Sequence, residues 1–424
     1  MDTTIVIIGA GAAGLMAAME LSVAGKKVLV VEARNRIGGR AYTLQDTAFS
    51  QAVEAGAEFV HGDLPLTKKL LKKANIALNK AGGSFWRSEQ GKLIQQEEFI
   101  EHYDDLMQEL EKLKEDIPVS EFLQTHFKGE KYDSLCTTIC NYVEGYYAAD
   151  AGRASTISLR EELSGSDEEQ YRVQSGYARL MNYLYKNCVA NGSTFLFSSE
   201  VKAIHWRKNN VQVVIENGPT VMAHQVIITV PLGVLQTGTG YPGSIEFKPN
   251  IPEQKAALQQ LGFGPVIKIL IEFDTPFWQQ NKQMQSMSFV FSDEAVPTWW
   301  TQYPVSSNLL TGWCAGPAAE RLKELTEDVL KEKAIQSLAT IFHKPEAEIK
   351  SGMIACAVYN WAADPYTRGG YTYVTVATEK VLQVLSEPIE NTLYFAGEAF
   401  YKGPNTGTVE AALQSGKTVA EKIV

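Results

Sequence analysis

No run of about 20 apolar residues occurs in the 424-residue chain, so no membrane-spanning helix is encoded. Cysteine is scarce. Five residues, an odd number without paired short spacings, argue against a disulfide framework and for a reducing, cytoplasmic setting. Cys136 and Cys140 stand four apart and can share a helix face, where two small buried hydrophobes are a plainer reading than a metal or redox pair. Positive charge is in deficit: 39 Lys and Arg against 49 Asp and Glu leave a net charge of −10. That balance disfavours nucleic-acid partners, mildly favours cationic ligands and mostly solubilises the surface. The apolar N-terminal run lacks the basic flank of a secretion signal.

What is present is more specific. The length suits two domains with a substantial core, and 45% hydrophobic with 21% charged residues fits a soluble globular protein. Ile5-Val6-Ile7-Ile8 leads straight into Gly9-Ala10-Gly11-Ala12-Ala13-Gly14. A small-residue helix follows from Leu15 to Val23, closes on Gly25, and yields to a second strand, Lys27 to Val31, ending at Glu32. This βαβ unit is Rossmann-type. Gly9 serves the tight turn, Gly11 admits phosphate to the backbone, and Gly14 lets helix lie close on strand. The helix start, Ala13 included, offers N–H groups and a positive dipole end to a pyrophosphate. Glu32, 18 residues after Gly14, is placed to accept from ribose hydroxyls. An adenine dinucleotide is the expected ligand.

The next residues, Ala33-Arg34-Asn35-Arg36-Ile37-Gly38-Gly39-Arg40, favour FAD over NAD. The diglycine lets the chain pass close to the cofactor, and Arg36 and Arg40 can reach pyrophosphate oxygens. Here the chain resembles the flavin-containing amine oxidase family, which includes monoamine oxidases, polyamine oxidases and histone lysine demethylases. Three later segments extend the resemblance. Glu54 to Gly62, with Gly56, Ala57, Glu58 and His61, resembles the loop along the flavin. Phe263 to Lys268 resembles the strand bearing the active-site lysine. Phe395-Ala396-Gly397-Glu398 with Thr406 to Ala412 resembles the C-terminal flavin-binding turn and helix start.

The resemblance implies an α/β fold: a Rossmann-type FAD-binding domain interleaved with an α+β substrate domain built on a mixed sheet. Residues 1–80, 174–236 and 390–424 would form the first; residues 81–173 and 237–389 the second. Within the first, Ser175-Gly176-Tyr177 opens a helix, Phe195 to Ile204 and Val211 to Ile215 read as strands, and the backbone near Val201 lies against adenine. From Phe99 to Ile117, apolar residues at heptad-like spacing predict an amphipathic helix packed on its own domain; under three heptads is too short for a coiled-coil partner. The chain stops at Val424 without the anchoring tail of membrane-bound monoamine oxidases, and its nucleotide strand starts near Met1, unlike the histone demethylases.

The resemblance assigns the chemistry. By that resemblance Lys268 faces the flavin through a bridging water and assists hydride transfer, oxygen reaction or both. A strand lysine pointing to solvent is the alternative, but its strand, Val266 to Ile271, reads as buried on both faces, where an unpaired lysine is costly. Tyr371 forms one wall beside the flavin. Monoamine oxidases attach flavin through a cysteine just before the matching tyrosine; here that residue is Gly370, so FAD is expected to be non-covalent. Thr408 takes the place of their second cage tyrosine. His61 is the one histidine inside a family motif and can take a proton or hydrogen bond from an ammonium, a structural loop histidine being the alternative. Glu144 is a candidate for a distal ammonium or a solvated helix acid. Trp361 packs near flavin and substrate or is a core tryptophan. Glu398 is expected at the phosphoribityl region, and Thr408 and Val409 at the flavin's pyrimidine carbonyl.

The expected function is FAD-dependent amine oxidation by hydride transfer, with O₂ as acceptor and H₂O₂ as product. Polyamines lead as substrates on Gly370, Thr408 and His61, and small monoamines follow. An L-amino-acid oxidase would need an arginine outside the cofactor motif. A scaffold without turnover, and a flavin desaturase or isomerase, are rivals. The protein is expected to act on a small-molecule amine as a monomer or homodimer, with no metal, nucleic-acid or membrane partner.

Overall fold

The computed structural model describes residues 4–89, 91–96, 100–165 and 169–424. Its nucleotide-binding half is a five-stranded parallel sheet in the order Thr194–Leu196, Lys27–Val31, Thr4–Ile8, Gln225–Ile228, Leu393–Phe395. Parallel strands covered on both faces are largely apolar, and past their first residues these are. Ile5, Ile7, Val28 and Val30 pack against Ala17, Leu21 and Val419 on one face. Val6, Ile8, Val226 and Ile228 pack against Val211, Phe247 and Val381 on the other.

The second half is a seven-stranded mixed sheet, ordered Met353–Asn360, Val266–Phe273, Leu309–Ala315, Thr298–Trp300, Met287–Phe291, Ser84–Glu89, Lys92–Gln96. Among the described residues, only Met287–Phe291 and Ser84–Glu89 pair in parallel within it. Every residue of Val266–Phe273 is buried. Alternation along it sends Ile267, Ile269 and Ile271 to the helix Glu327–Phe342, and Val266, Lys268 and Leu270 to the other face. Lys268 thus shares its face with residues that pack on Ala55 and Trp361. This is the α/β architecture that the motifs imply.

Two local expectations are corrected. Phe195 to Ile204 is not one strand: Thr194–Leu196 ends and Val201–Arg207 begins in a different sheet. Ser198 turns the chain with a left-handed φ of +50°, and Ser198 and Ser199 donate to Arg34 O and Glu32 O across the end of the neighbouring strand. The helix read from Phe99 to Ile117 spans Tyr103–Lys112; Phe99 lies outside the described residues. Leu113 is already extended, and Ile117 precedes Pro118, which disfavours helical backbone there. Its buried residues, Leu106 and Leu110, pack on Phe122 and Leu159 of the same half.

The helix Val409–Ile423 lies against Ala12–Val23 so closely that a Cβ on Gly416 would stand 2.2 Å from Ala13 O. Its buried Glu410 accepts from the Leu66 and Thr67 N–H groups at 3.0 and 2.6 Å and from the Thr67 hydroxyl at 2.7 Å. One carboxylate therefore caps the helix Pro65–Lys73 from across the fold. Glu410→Ala leaves those donors buried and unsatisfied, and should cost about 3 kcal/mol. A thermal-unfolding midpoint within a degree of the parent's would contradict that role.

Candidate active site

One cavity of about 1790 Å³ runs between the two halves. Pockets for drug-sized ligands measure roughly 300–1,000 Å³, so this cavity has room for a dinucleotide and a substrate. Its cofactor side is built from chain turns at strand ends. The helix Ala12–Val23 has Gly11 as N-cap with no side-chain cap, and Gly11, Ala12 and Ala13 line the cavity. A Cβ on Gly14 would stand 2.0 Å from Gly9 O, so that glycine serves packing; Gly14 is not on the cavity wall. Gly11 differs. No protein atom lies within 4 Å of where its Cβ would be, so its bareness makes room for an occupant. A second helix start, Thr408 and Val409, faces the same space. Two positive dipole ends and an open glycine turn suit a pyrophosphate-bearing group.

Glu32 is buried and accepts from Ala10 N at 2.7 Å and Arg34 N at 2.9 Å. Burial pushes its carboxyl up, against the pull of these two N–H groups. Ala33, Arg34, Gly39, Gly56, Ala57, Val201 and Gly397 also line the cavity. Arg34 is braced by Asp364 at 2.6 Å. Arg40 joins distant segments, donating through one nitrogen to Gly370 O at 2.6 Å and Glu398 at 2.8 Å.

Glu398, Thr408 and Trp361 line the cavity, and each also has partners within the protein. Glu398 is buried and its carboxylate accepts from Arg40 and Thr372 N, so it braces the site's wall. Arg36 does not reach the cavity wall; it bonds Gly39 O at 2.9 Å and stacks 3.7 Å over the Tyr42 ring. Thr408 spends its hydroxyl on Asn405 O at 2.6 Å and Ala411 N at 3.2 Å, as a helix N-cap. The ring beside Tyr371 is instead Trp313, nearly parallel at 17° with centroids 6.2 Å apart. Trp361 donates to Ala55 O at 2.9 Å and stacks on Tyr359, holding the 54–62 loop in place.

Glu58, expected along the flavin, lines the cavity. Its carboxylate turns into the protein and accepts from Lys268 Nζ at 2.8 Å, Arg172 Nε at 2.8 Å, Trp300 Nε1 at 3.0 Å and Gln302 Nε2 at 3.1 Å. Burial opposes its charge, but Lys268 and Arg172 override it and hold the carboxyl down at about 2. Lys268 also donates to Gly56 O at 3.1 Å and lies 5.3 Å from the Trp300 ring. No motif pointed to Arg172, Trp300, Trp313 or Gln302; they come from strands that only pairing brings together.

Tyr371 is aligned with Gly264 in a short antiparallel pair, and its hydroxyl donates to Tyr146 O. Burial pushes that phenol up. His61 lines the cavity, its Nδ1 3.5 Å from the Tyr146 hydroxyl, and desolvation lowers the imidazole to about 4. Glu144, half-buried on Asp133–Tyr146, has its carboxyl raised by burial and Asp150 and lowered by Arg321. Arg87 and Arg321 also border the cavity, so arginines outside the cofactor motif do exist there.

The family model for flavin containing amine oxidoreductases matches residues 12–424. The chain belongs to that family. Polyamine oxidase 2 of Arabidopsis thaliana is 28% identical over 459 residues, covering 99% of this chain and 87% of the relative. A lysine-specific histone demethylase 1 homolog 2 of Oryza sativa subsp. japonica is also 28% identical, over 453 residues, but this chain spans only 57% of its length. Putrescine oxidase bound to putrescine superposes with a TM-score of 0.80 at 18% identity, covering 100% of this chain and 99% of that one. Cyclohexylamine oxidase from Brevibacterium oxydans gives 0.80 at 20%, with the same coverage. These two likenesses show the shared fold. The family's flavin fits the cradle made by Gly11, Glu32 and the two helix starts.

His61 yields a prediction. Its folded value of about 4 lies below the ordinary 6.5, so the unfolded state binds more protons between them. The stability it contributes is complete above 6.5 and is lost as pH falls toward 4. Nitrogen-15 spectra of labelled histidine should show His61 neutral at pH ~6. A titration midpoint near 6.5 would contradict the desolvated site.

Proposed function

We propose that the protein is an FAD-dependent amine oxidase that prefers polyamines. The observation that carries this reading is the joining of a dinucleotide cradle and carboxylates in one cavity. Glu144, Glu161 and Glu162 line the same cavity as the cradle, and so do Tyr371, Trp313 and Trp300. The chemistry supplied by bound FAD is removal of a hydride from the carbon beside the amine nitrogen and delivery of two electrons to O₂, which leaves an imine and H₂O₂.

The side chains do the rest. The aromatic faces of Tyr371 and Trp313 steer a cationic or apolar amine and exclude water. Neutral His61 accepts the ammonium's hydrogen bond or proton. Glu144 attracts a second, distal ammonium, which a monoamine lacks. Non-covalent FAD is supported by Gly370, where a Cβ would stand 2.4 Å from Val266 Cγ2, and by the absence of all five cysteines from the cavity wall. Five free thiols support a reducing, cytoplasmic setting.

One feature favours a second reading, a monoamine with an aromatic or aliphatic substituent. Phe85 and Phe289 stack at 5.6 Å and 10°, and Phe289 and Phe291 at 6.1 Å and 5°, along the cavity wall. An amino-acid substrate is less well served, because Arg87 is paired with Glu89 and Arg321 is exposed at the rim.

Anaerobic titration of the purified flavoprotein decides among these. Spermine and spermidine should bleach the flavin fastest, with peroxide formed on readmitting O₂. Bleaching by phenylethylamine alone would favour the phenylalanine-lined reading, and no bleaching by any amine would overturn amine oxidation. Acid denaturation should leave the flavin in the supernatant; yellow precipitated polypeptide would contradict non-covalent binding.

A further inference from the structure

Glu32, the acid placed for ribose hydroxyls, is flanked in space by Arg34 and Glu200. Arg34 donates its backbone N–H to the Glu32 carboxylate at 2.9 Å, and Ser199, next to Glu200, donates its own to Glu32 O at 2.9 Å. A segment of the other half of the molecule, just beyond the strand Met353–Asn360, reaches across to both. Asp364 pairs with Arg34 at 2.6 Å, the two side chains being only 24% and 19% exposed. Tyr366 donates its hydroxyl to Glu200 at 3.1 Å, and its ring centre lies 5.2 Å from the Arg34 guanidinium. Arg368 donates to Pro242 O, and a Cβ on Gly243 would stand 2.1 Å from Pro365 O.

The segment is tied to itself as well. The Asp364 carboxylate accepts from Tyr366 N at 2.8 Å, while the Thr367 hydroxyl and Gly369 N share Trp361 O at 2.8 and 2.9 Å. Arg34, Glu200, Gly243 and Tyr366 line the same cavity as Gly11 and Glu32, whereas Asp364 does not. Any effect of Asp364 on an occupant therefore passes through Arg34 and Tyr366.

We propose that residues 364–368 form a clasp over the nucleoside end of bound FAD, with Asp364 the positioning residue that holds Arg34 and Tyr366 in place, and that this clasp sets how fast the cofactor leaves. A cofactor without a covalent tether stays only as long as such contacts hold, and differences in affinity lie mostly in the rate of departure. The inference rests on the FAD reading and makes no use of the amine.

The test follows FAD leaving diluted holoprotein by timed ultrafiltration. Asp364→Asn keeps an oxygen for Tyr366 N and removes only the charge; it should speed release about fivefold at low salt. Molar salt should speed release from the parent more than from this variant, which has no ion pair left to screen. Tyr366→Phe, which keeps the ring beside Arg34, should speed release about threefold. Arg34→Gln should also be fast, and Asp364→Asn added to it should change the rate by under about twofold. Parent-like release from Asp364→Asn, or equal acceleration by it in both backgrounds, would overturn the clasp. Protein that neither carries nor takes up FAD would overturn it together with the flavin reading. Because no amine enters the experiment, failure of amine bleaching remains a separate result.

Discussion

A positive charge buried at the centre of a sheet constrains much of this molecule. Lys268 occupies a strand whose other residues are apolar apart from Glu272, itself bonded to Ser50 N and its hydroxyl. Removing an ammonium from water is tolerable only when a carboxylate and further hydrogen bonds replace the lost hydration. Glu58 meets that need, and meeting it binds together the 54–62 loop, the strand Gln170–Val173 and the strand Thr298–Trp300. Segments far apart in the chain are thereby held in one arrangement around the junction of the cavity. The aromatic wall of Trp300, Trp313 and Tyr371 stands on that frame.

The cofactor side obeys a different electrostatic logic. It has few charges aimed at the ligand and relies on backbone dipoles. The starts of Ala12–Val23 and Val409–Ile423 meet there because small residues, Ala13 and Gly416, let the helices touch. The arginines nearby mostly brace protein groups: Arg34 holds Asp364, and Arg40 holds Gly370 O and Glu398. Phosphate recognition through N–H groups asks for a backbone shape, which is why glycines mark it so clearly in the sequence.

That difference explains what was legible. Gly9, Gly11 and Gly14 could be read because each answers a local steric demand within one βαβ unit. Lys268 stood out because a lysine inside an isoleucine-rich run has no cheap explanation. The ion pair of Glu58 was not legible, since its motif speaks only of the flavin while Lys268, Arg172 and Trp300 lie on other strands. The role of the Thr408 hydroxyl was not legible for the reverse reason: its nearest demand is to cap its own helix, while the residue still lines the cavity. The Phe195 to Ile204 run looked continuous because both strands are β-rich, yet a left-handed turn at Ser198 passes the chain from one sheet to another.

The sequence by itself determined the parallel nucleotide-binding sheet, the glycine turn, the strand-end acid and the position of the buried lysine, because these follow from backbone geometry and hydrophobic period over short stretches. Only the tertiary structure decided which carboxylate neutralises Lys268, which ring stands beside Tyr371, and that His61 is desolvated. Those outcomes depend on the register of strands distant in the chain, Phe59 opposite Arg172 and Lys268 opposite Trp313 among segments that share no local signal. Charge pairing and desolvation are properties of distance in space, and distance in space is what a linear pattern does not carry.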